Sequence, residues 1–338
     1  MNFEQLKNLL NDLNEPKFRF EQICKFYLEK FPNSFDEFTM ISKSLREVLE
    51  KQIEINDYAV EKLEISRDGT KKALLQLEDG NLIETVYIPL KEGVDTACVS
   101  CQVGCGMGCK FCATGQMGFN RNLNFSEIVM QIVFWNKILQ KEDKRISRVV
   151  FMGMGEPLLN LEDVIKSIKF LSEKFTYGMS FRRFTISTCG ITPQLYKLME
   201  YKLEGLKLAI SLHAPNDQIR SSIMPVNKNF PLDGLMEFCK FYSKKTQEKI
   251  FFEYVMLEGI NNSEENAEEL AKLLKNVPTA QVNLINYHST GSEFRSSNIN
   301  KTLKFQEILK KNGIMAFIRK SAGEDIKAAC GQLKSSDR

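Results

Sequence analysis

The sequence predicts an α/β protein: a partial (β/α)6 barrel, preceded by a small N-terminal helical accessory domain and a short β linker. Three observations carry this. Residues 95–338 alternate short apolar strand-like runs with amphipathic helical stretches. Residues 1–58 show only the i, i+3, i+4 spacing of helices. Residues 59–94 alternate apolar and polar side chains around two Asp-Gly turns.

In the first segment, NFEQLKNLLNDL, FRFEQICKFYLEKF and SFDEFTMISKSLREVLEKQ read as helices punctuated by Pro16 and Pro32. In the linker, AVEKLEIS, KKALLQLE and NLIETVYIPL read as an antiparallel meander turning at Asp68-Gly69 and Asp79-Gly80. In the core the strand candidates are TACVS, RVVFMG, RFTIST, LKLAISL, KIFFEYVML and QVNLIN. Between them lie the helical stretches FSEIVMQIVFWNKIL, LEDVIKSIKFLSEKF, PQLYKLMEY, PLDGLMEFCKFYSKK and SEENAEELAKLLKN. A last helix, KTLKFQEILKKN, and a strand, IMAFIRK, precede the tail.

Composition excludes several classes. The chain has 338 residues, 43% of them hydrophobic, enough for a sizeable core. No apolar run approaches the roughly 18 residues of a membrane span, and the charged, amphipathic start does not read as a signal peptide. A soluble cytoplasmic protein without a membrane partner is therefore expected. Nine cysteines in that compartment favour metal binding or catalysis over structural disulfides. A net charge of +3 is too mild to establish nucleic-acid binding. Arg121, the pair Arg182–Arg183 and the pair Arg319–Lys320 read first as solvated surface charge, although a few clustered phosphate contacts would suffice for affinity.

The chemistry gathers at the predicted C-terminal ends of the strands, the rim that carries function in parallel barrels. After the first strand come Cys105, Cys109 and Cys112 in CxxxCxxC spacing, three thiolates with no fourth cysteine at a matching interval. Electron-transfer clusters are usually held by four cysteines, so three leave one iron open. A structural zinc site with Cys98 or Cys101 as fourth ligand has the same spacing. After the second strand comes GMGEP, in which glycine lets the backbone approach a ligand and Glu156 can accept a charge-assisted bond from an ammonium group. Ser187 follows the third strand, Ser211, Leu212 and His213 the fourth, and Asn286 and His288 the sixth; the polar groups among them suit ribose and carboxylate contacts. The tail holds Cys330 in GEDIKAACGQL.

Taken in order, ETVYIP, the cysteine stretch CVSCQVGCGMGCKFCATGQMGFNRNL, FMGMGEPLLN, ISTCG, SLHAP, VNLI and GEDIKAACGQL closely resemble the RlmN/Cfr family of radical S-adenosylmethionine RNA methyltransferases. The resemblance covers essentially the whole chain, and the GEPLLN and FNRNL wording is nearer the RlmN branch. It implies a [4Fe-4S] cluster on Cys105, Cys109 and Cys112, and S-adenosylmethionine held by Gly155, Glu156, Ser187, Ser211, Leu212, His213 and the position of His288. It also implies methylation of adenine C2, in adenosine 2503 of 23S rRNA and adenosine 37 of tRNA, with two S-adenosylmethionine molecules per turnover. Adenine C2 is not a nucleophile, whereas a thiolate is. In the family's route the cysteine matching Cys330 is methylated first. A 5′-deoxyadenosyl radical then takes a hydrogen from that methyl group, and the methylene radical adds to C2. Glu84 matches the base that removes the C2 proton. Cys98 matches the cysteine that resolves the covalent adduct, leaving a Cys98–Cys330 disulfide. A flavodoxin-type donor would supply the electron, and the helical domain would help to bind RNA by shape and splayed bases.

Two positions depart from the family wording. His288 stands where an Asn usually contacts S-adenosylmethionine, with Asn286 two residues earlier, and either could replace that contact. Cys101 replaces a serine; it reads as a passive substitution that could compete as a ligand or form an unproductive disulfide. The alternatives left open are Cfr-like C8 methylation of the same rRNA adenosine, and a zinc-containing RNA-binding module without catalysis.

Overall fold

The computed structural model of the chain describes residues 1–90 and 93–334; positions 91–92 of the expected linker and 335–338 of the expected tail lie outside the described residues. The N-terminal segment forms α1 (Phe3–Asp12), α2 (Phe18–Lys30) and α3 (Lys43–Gln52). The single helix expected over 34–52 is interrupted. Phe35–Glu37 makes only a short 3-10 turn, and Ser42 starts α3 by accepting the Leu45 N–H at 3.2 Å. A serine at an N-cap satisfies one of the orphan donors of a helix start, so the break falls there.

The meander follows as β1 (Tyr58–Ile65), β2 (Lys71–Leu77) and β3 (Leu82–Leu90), all antiparallel. β3 pairs antiparallel with β4 (Val94–Cys98), so the meander is continuous with the sheet of the core. The segment after β4 is not a plain loop. It folds as β5 (Gln102–Cys105), a short helix α4 (Ala113–Met117) and β6 (Gly118–Asn122), with β5 and β6 antiparallel.

The barrel elements follow: α5 (Phe125–Leu139), β7 (Arg148–Phe151), α6 (Leu161–Ser172), β8 (Phe184–Thr188), α7 (Thr192–Glu200) and β9 (Lys207–Ser211). Next come α8 (Asp217–Ile223), α9 (Leu232–Thr246), β10 (Ile250–Met256), α10 (Glu264–Leu274), β11 (Ala280–Asn286), α11 (Ile299–Lys311) and β12 (Met315–Arg319). The strand order is β1-β2-β3-β4-β7-β8-β9-β10-β11-β12, parallel from β4 onward. Parallel neighbours need crossover connections, which the helices supply. The result is an open, partial α/β barrel in which β12 adds a seventh parallel strand to the six expected.

α5 explains how the accessory helices stay attached. Asn124 and Glu127 close a reciprocal capping box at its start, and its body is apolar on nearly every side. One side faces the sheet: Trp135 is fully buried and donates from Nε1 to Thr85 Oγ1 at 3.1 Å, and Thr85 Oγ1 donates to the Cys98 carbonyl at 3.0 Å. At the other end the Phe3 N–H donates to Ser126 Oγ at 3.0 Å, and the Phe3 ring packs on Phe170 with centroids 4.6 Å apart. Buried side chains from α1–α3 and from the barrel therefore share one continuous core. Among the described residues no helix is long and apolar enough to cross a membrane.

Candidate active site

The C-terminal ends of β7–β12 and the segment from Cys105 to Thr114 enclose a cleft of about 1010 Å³, its open mouth included. Of the residues singled out in the sequence, Cys105, Cys109, Cys112, Gly155, Glu156, Ser187, Ser211, His213 and Cys330 line it together. Leu212, His288, Cys98 and Glu84 do not.

The three cysteines come from the β5–α4 segment. Burial pushes the Cys105 thiol up to about 12, and Cys109 well above its ordinary value with Cys112 and Cys105 adding to the effect. Buried thiols that disfavour one another's ionisation suit a metal group, which stabilises the thiolates by displacing their protons. Among the described residues no three ligating side chains close on a single ion. Neither Cys98 nor Cys101, the fourth ligands of the zinc alternative, reaches the cleft. The donor set therefore fits a cluster whose irons each take one thiolate better than it fits a mononuclear zinc.

GMGEP lies where its glycines demand. A Cβ on Gly153 would stand 2.7 Å from the Val99 carbonyl carbon, and one on Gly155, at φ +104°, 2.6 Å from Gln102 Cβ. Only glycine allows this loop to press against the backbone leading into the cysteine segment. Glu156 is thereby buried beside the cluster residues. It accepts N–H groups from Leu158 at 3.0 Å and Cys189 at 2.8 Å, and burial raises its pKa. No cation lies within ion-pair distance of it among the described residues, so an ammonium group entering the cleft would supply the missing charge.

His213 has a left-handed backbone, φ +59°, at the end of β9. Its Nδ1 accepts the Val255 N–H at 3.0 Å, which places the ring proton on Nε2. Burial, and after it the Arg220 guanidinium, lower its pKa to about 3, so the ring is a neutral donor. Leu212 contributes differently from the expectation. Its side chain is wholly in the core, and its N–H donates to the Glu253 carbonyl at 3.1 Å. His288 also departs. Its Nε2 pairs with Ser321 Oγ at 2.6 Å and lies 3.6 Å from Glu324, so it holds the tail, while its neighbour Tyr287 faces the cleft. Asn286 keeps a buried Oδ1 without a protein partner.

The tail lies across the rim. Asp325 accepts from Ser66 Oγ at 2.5 Å and the Arg67 N–H at 3.2 Å, and the Gly323 N–H donates to Asp68 at 3.0 Å. Further on, the Gly331 carbonyl accepts the Ala113 N–H at 2.7 Å, next to Cys112. These contacts set Cys330, which is exposed, in the cleft wall. Cys98, the last residue of β4, is buried with its thiol pushed up to about 12 by burial, then by Cys330, with Arg319 opposing. Both are free thiols, so the disulfide that the resemblance implies is absent here. Glu84 is buried rather than surface-exposed. Its carboxylate is 3.0 Å from Lys72 Nζ and accepts the Lys334 N–H of the tail at 2.7 Å, and burial raises its pKa.

Several contributors carried little sequence signal. Arg319, read first as surface charge, ends β12 in the cleft, 3.5 Å from Glu253 and under the influence of both Cys330 and Cys98. Its position at a strand end was the available clue. Lys72 and Glu253 gave none. Arg121 is no free surface cation: it bridges Asp79 at 2.6 Å and Glu127 at 2.8 Å.

Comparison with known proteins agrees with this geometry. Residues 99–277 match the radical SAM superfamily, and residues 1–55 match the ribosomal RNA large subunit methyltransferase N-terminal domain. The chain is 45% identical to the dual-specificity RNA methyltransferase RlmN of Wigglesworthia glossinidia brevipalpis over 98% of this chain and 88% of that one. It is 44% identical to the protein of the same name from Nitratidesulfovibrio vulgaris (strain DP4) over 100% and 94% of the two chains. The crystal structure of a radical SAM methyltransferase from Sphaerobacter thermophilus superposes with a TM-score of 0.93, at 37% identity, covering 99% of this chain and 98% of that one. With both family models and full-length relatives in agreement, the chain belongs to the radical SAM superfamily and, within it, to the RlmN family of dual-specificity RNA methyltransferases.

Proposed function

We propose that this protein methylates C2 of adenine in 23S rRNA and tRNA, using Cys330 as the carrier of the transferred carbon. The observation that carries the reading is the placement of the Cys330 thiol in the wall of the cleft that also holds the three cluster cysteines and Glu156. Cys105, Cys109 and Cys112 would hold a [4Fe-4S] cluster with one iron free, and Glu156, Ser187, Ser211 and His213 would hold S-adenosylmethionine. Together the bound groups supply a methyl donor and one-electron chemistry.

The chain's own residues do the rest. Of the two cleft cysteines that the cluster would leave over, Cys189 is buried and Cys330 is exposed, and that exposure lets Cys330 meet both the methyl donor and an adenine flipped in from the mouth. Arg319 lies in the same cleft as Cys330, and its charge opposes the rise that burial gives the Cys98 thiol. Glu84 would accept the C2 proton once the Lys334 N–H of the tail releases its carboxylate. Cys98 would then attack the Cys330 sulfur and free the methylated RNA, and the resulting disulfide must be reduced before the next turnover. A flavodoxin-type protein is the proposed electron donor.

Two variants test this on anaerobically reconstituted protein with an RNA substrate. Cys330→Ala should keep the visible absorbance of the cluster and form no methylated RNA. Cys98→Ala should accumulate a covalent protein–RNA adduct, seen as a shifted band on a denaturing gel. Normal turnover by the first variant, or free product at the normal rate from the second, contradicts the assignment of that cysteine.

A further inference from the structure

Arg220, on α8, is wholly buried and stands behind the cleft rather than in its lining. Its guanidinium donates to the carbonyls of Leu212 at 3.0 Å, Ser211 at 3.1 Å and Cys189 at 2.6 Å, and to Asn227 Oδ1 at 2.7 Å. Every one of these acceptors is neutral. Asp217, the nearest acid of its own helix, is turned to Asn227 at 2.8 Å and to the Leu232 N–H at 2.9 Å. No carboxylate stands at ion-pair distance among the described residues. A buried, unpaired cation is costly, so a structure that keeps one has an anion nearby in its working state. The surroundings name that anion. The cluster loop is fastened to the end of the same helix, with the Lys110 N–H donating to the Ile223 carbonyl at 3.0 Å. Cys189 also joins the two charges. Its carbonyl takes Arg220, and its N–H donates to Glu156 at 2.8 Å.

We propose that Arg220 is the resident counter-cation of the cluster site: it compensates the three cysteine thiolates from behind and so raises the reduction potential of the cluster, while its hydrogen bonds brace the ends of β8 and β9. The inference rests on the cluster assignment above. Reduction adds negative charge, and a fixed cation in a low-dielectric interior favours the reduced form. Arg220 acts through the site without touching substrate, so it is a positioning residue.

The test is an EPR-monitored redox titration of reconstituted wild type, Arg220→Gln and Arg220→Lys. The expected result is a lower midpoint potential for Arg220→Gln and a near wild-type value for Arg220→Lys. An unchanged potential in Arg220→Gln overturns the proposal, because then the charge has no part. Should Arg220→Gln fail to fold, Arg220→Lys decides. A buried lysine loses its proton more readily than arginine, so its midpoint potential should fall with rising pH more steeply than that of wild type; identical pH trends overturn the proposal. Wild type that takes up no iron and sulfide at all refutes the cluster assignment itself, and this inference with it.

Discussion

Glu156 shows how much one side chain can reveal. It is a buried carboxylate with two backbone donors and no cation, so its neighbours leave it half-compensated. Replacing it with Gln keeps the shape and removes the charge. Hydrogen bonds to charged groups are worth about 1.5–3 kcal/mol, so Glu156→Gln should weaken S-adenosylmethionine binding by roughly ten- to a hundredfold in equilibrium dialysis of the reconstituted protein. Unchanged affinity would place the ammonium elsewhere. Glu156 was legible in the sequence because GMGEP follows a strand, and the cysteines were legible because their spacing is a chemical constraint. His288 is engaged differently from the contact that the resemblance implies. Its position matches a cofactor contact in the family, and its imidazole bonds Ser321 of the tail. Arg220 could not be found from spacing, since the three carbonyls it binds stand at the ends of two different strands.

Among the elements, α5 ties the accessory helices to the rim. Its capping box starts the helix, and Arg121 lays two nitrogens on the two oxygens of Glu127, at 2.9 and 2.8 Å. The Asn124→Ala variant removes the cap and should cost about 1 kcal/mol of stability, read as a lowered midpoint in denaturant unfolding of the full chain. A midpoint equal to wild type would show that tertiary packing alone holds this helix start. The long helices and strands were visible as periodicity, because burial on one face writes a period of 3.6 or 2. The β5–α4–β6 segment was not. It is short and glycine-rich, and its cysteines line the cleft rather than one face of a periodic element. α8 escaped for the same reason of length, although Asn216 caps it by accepting the Ile219 N–H at 2.9 Å.

For the molecule as a whole, one sheet ties together two of the three segments into which the sequence divides. β3 pairs with β4, so the meander that carries Glu84 and the barrel that carries the cluster cysteines are hydrogen-bonded neighbours. The tail closes the arrangement by binding the β1–β2 turn, α4 and Glu84 in succession, which brings Cys330 back more than 200 residues in sequence to the cysteines near the start of the core. Such long-range contacts leave no local pattern, which is why the tail could be assigned only through resemblance. The proposed route delivers a methyl group to adenine C2 by way of Cys330. Mass spectrometry of nucleosides from 23S rRNA and tRNA tests it most directly, in cells lacking the gene and complemented with either wild type or Cys330→Ala. The account predicts that 2-methyladenosine disappears on deletion, returns with wild type and stays absent with Cys330→Ala. Unchanged 2-methyladenosine on deletion, or loss of 8-methyladenosine in its place, would contradict it.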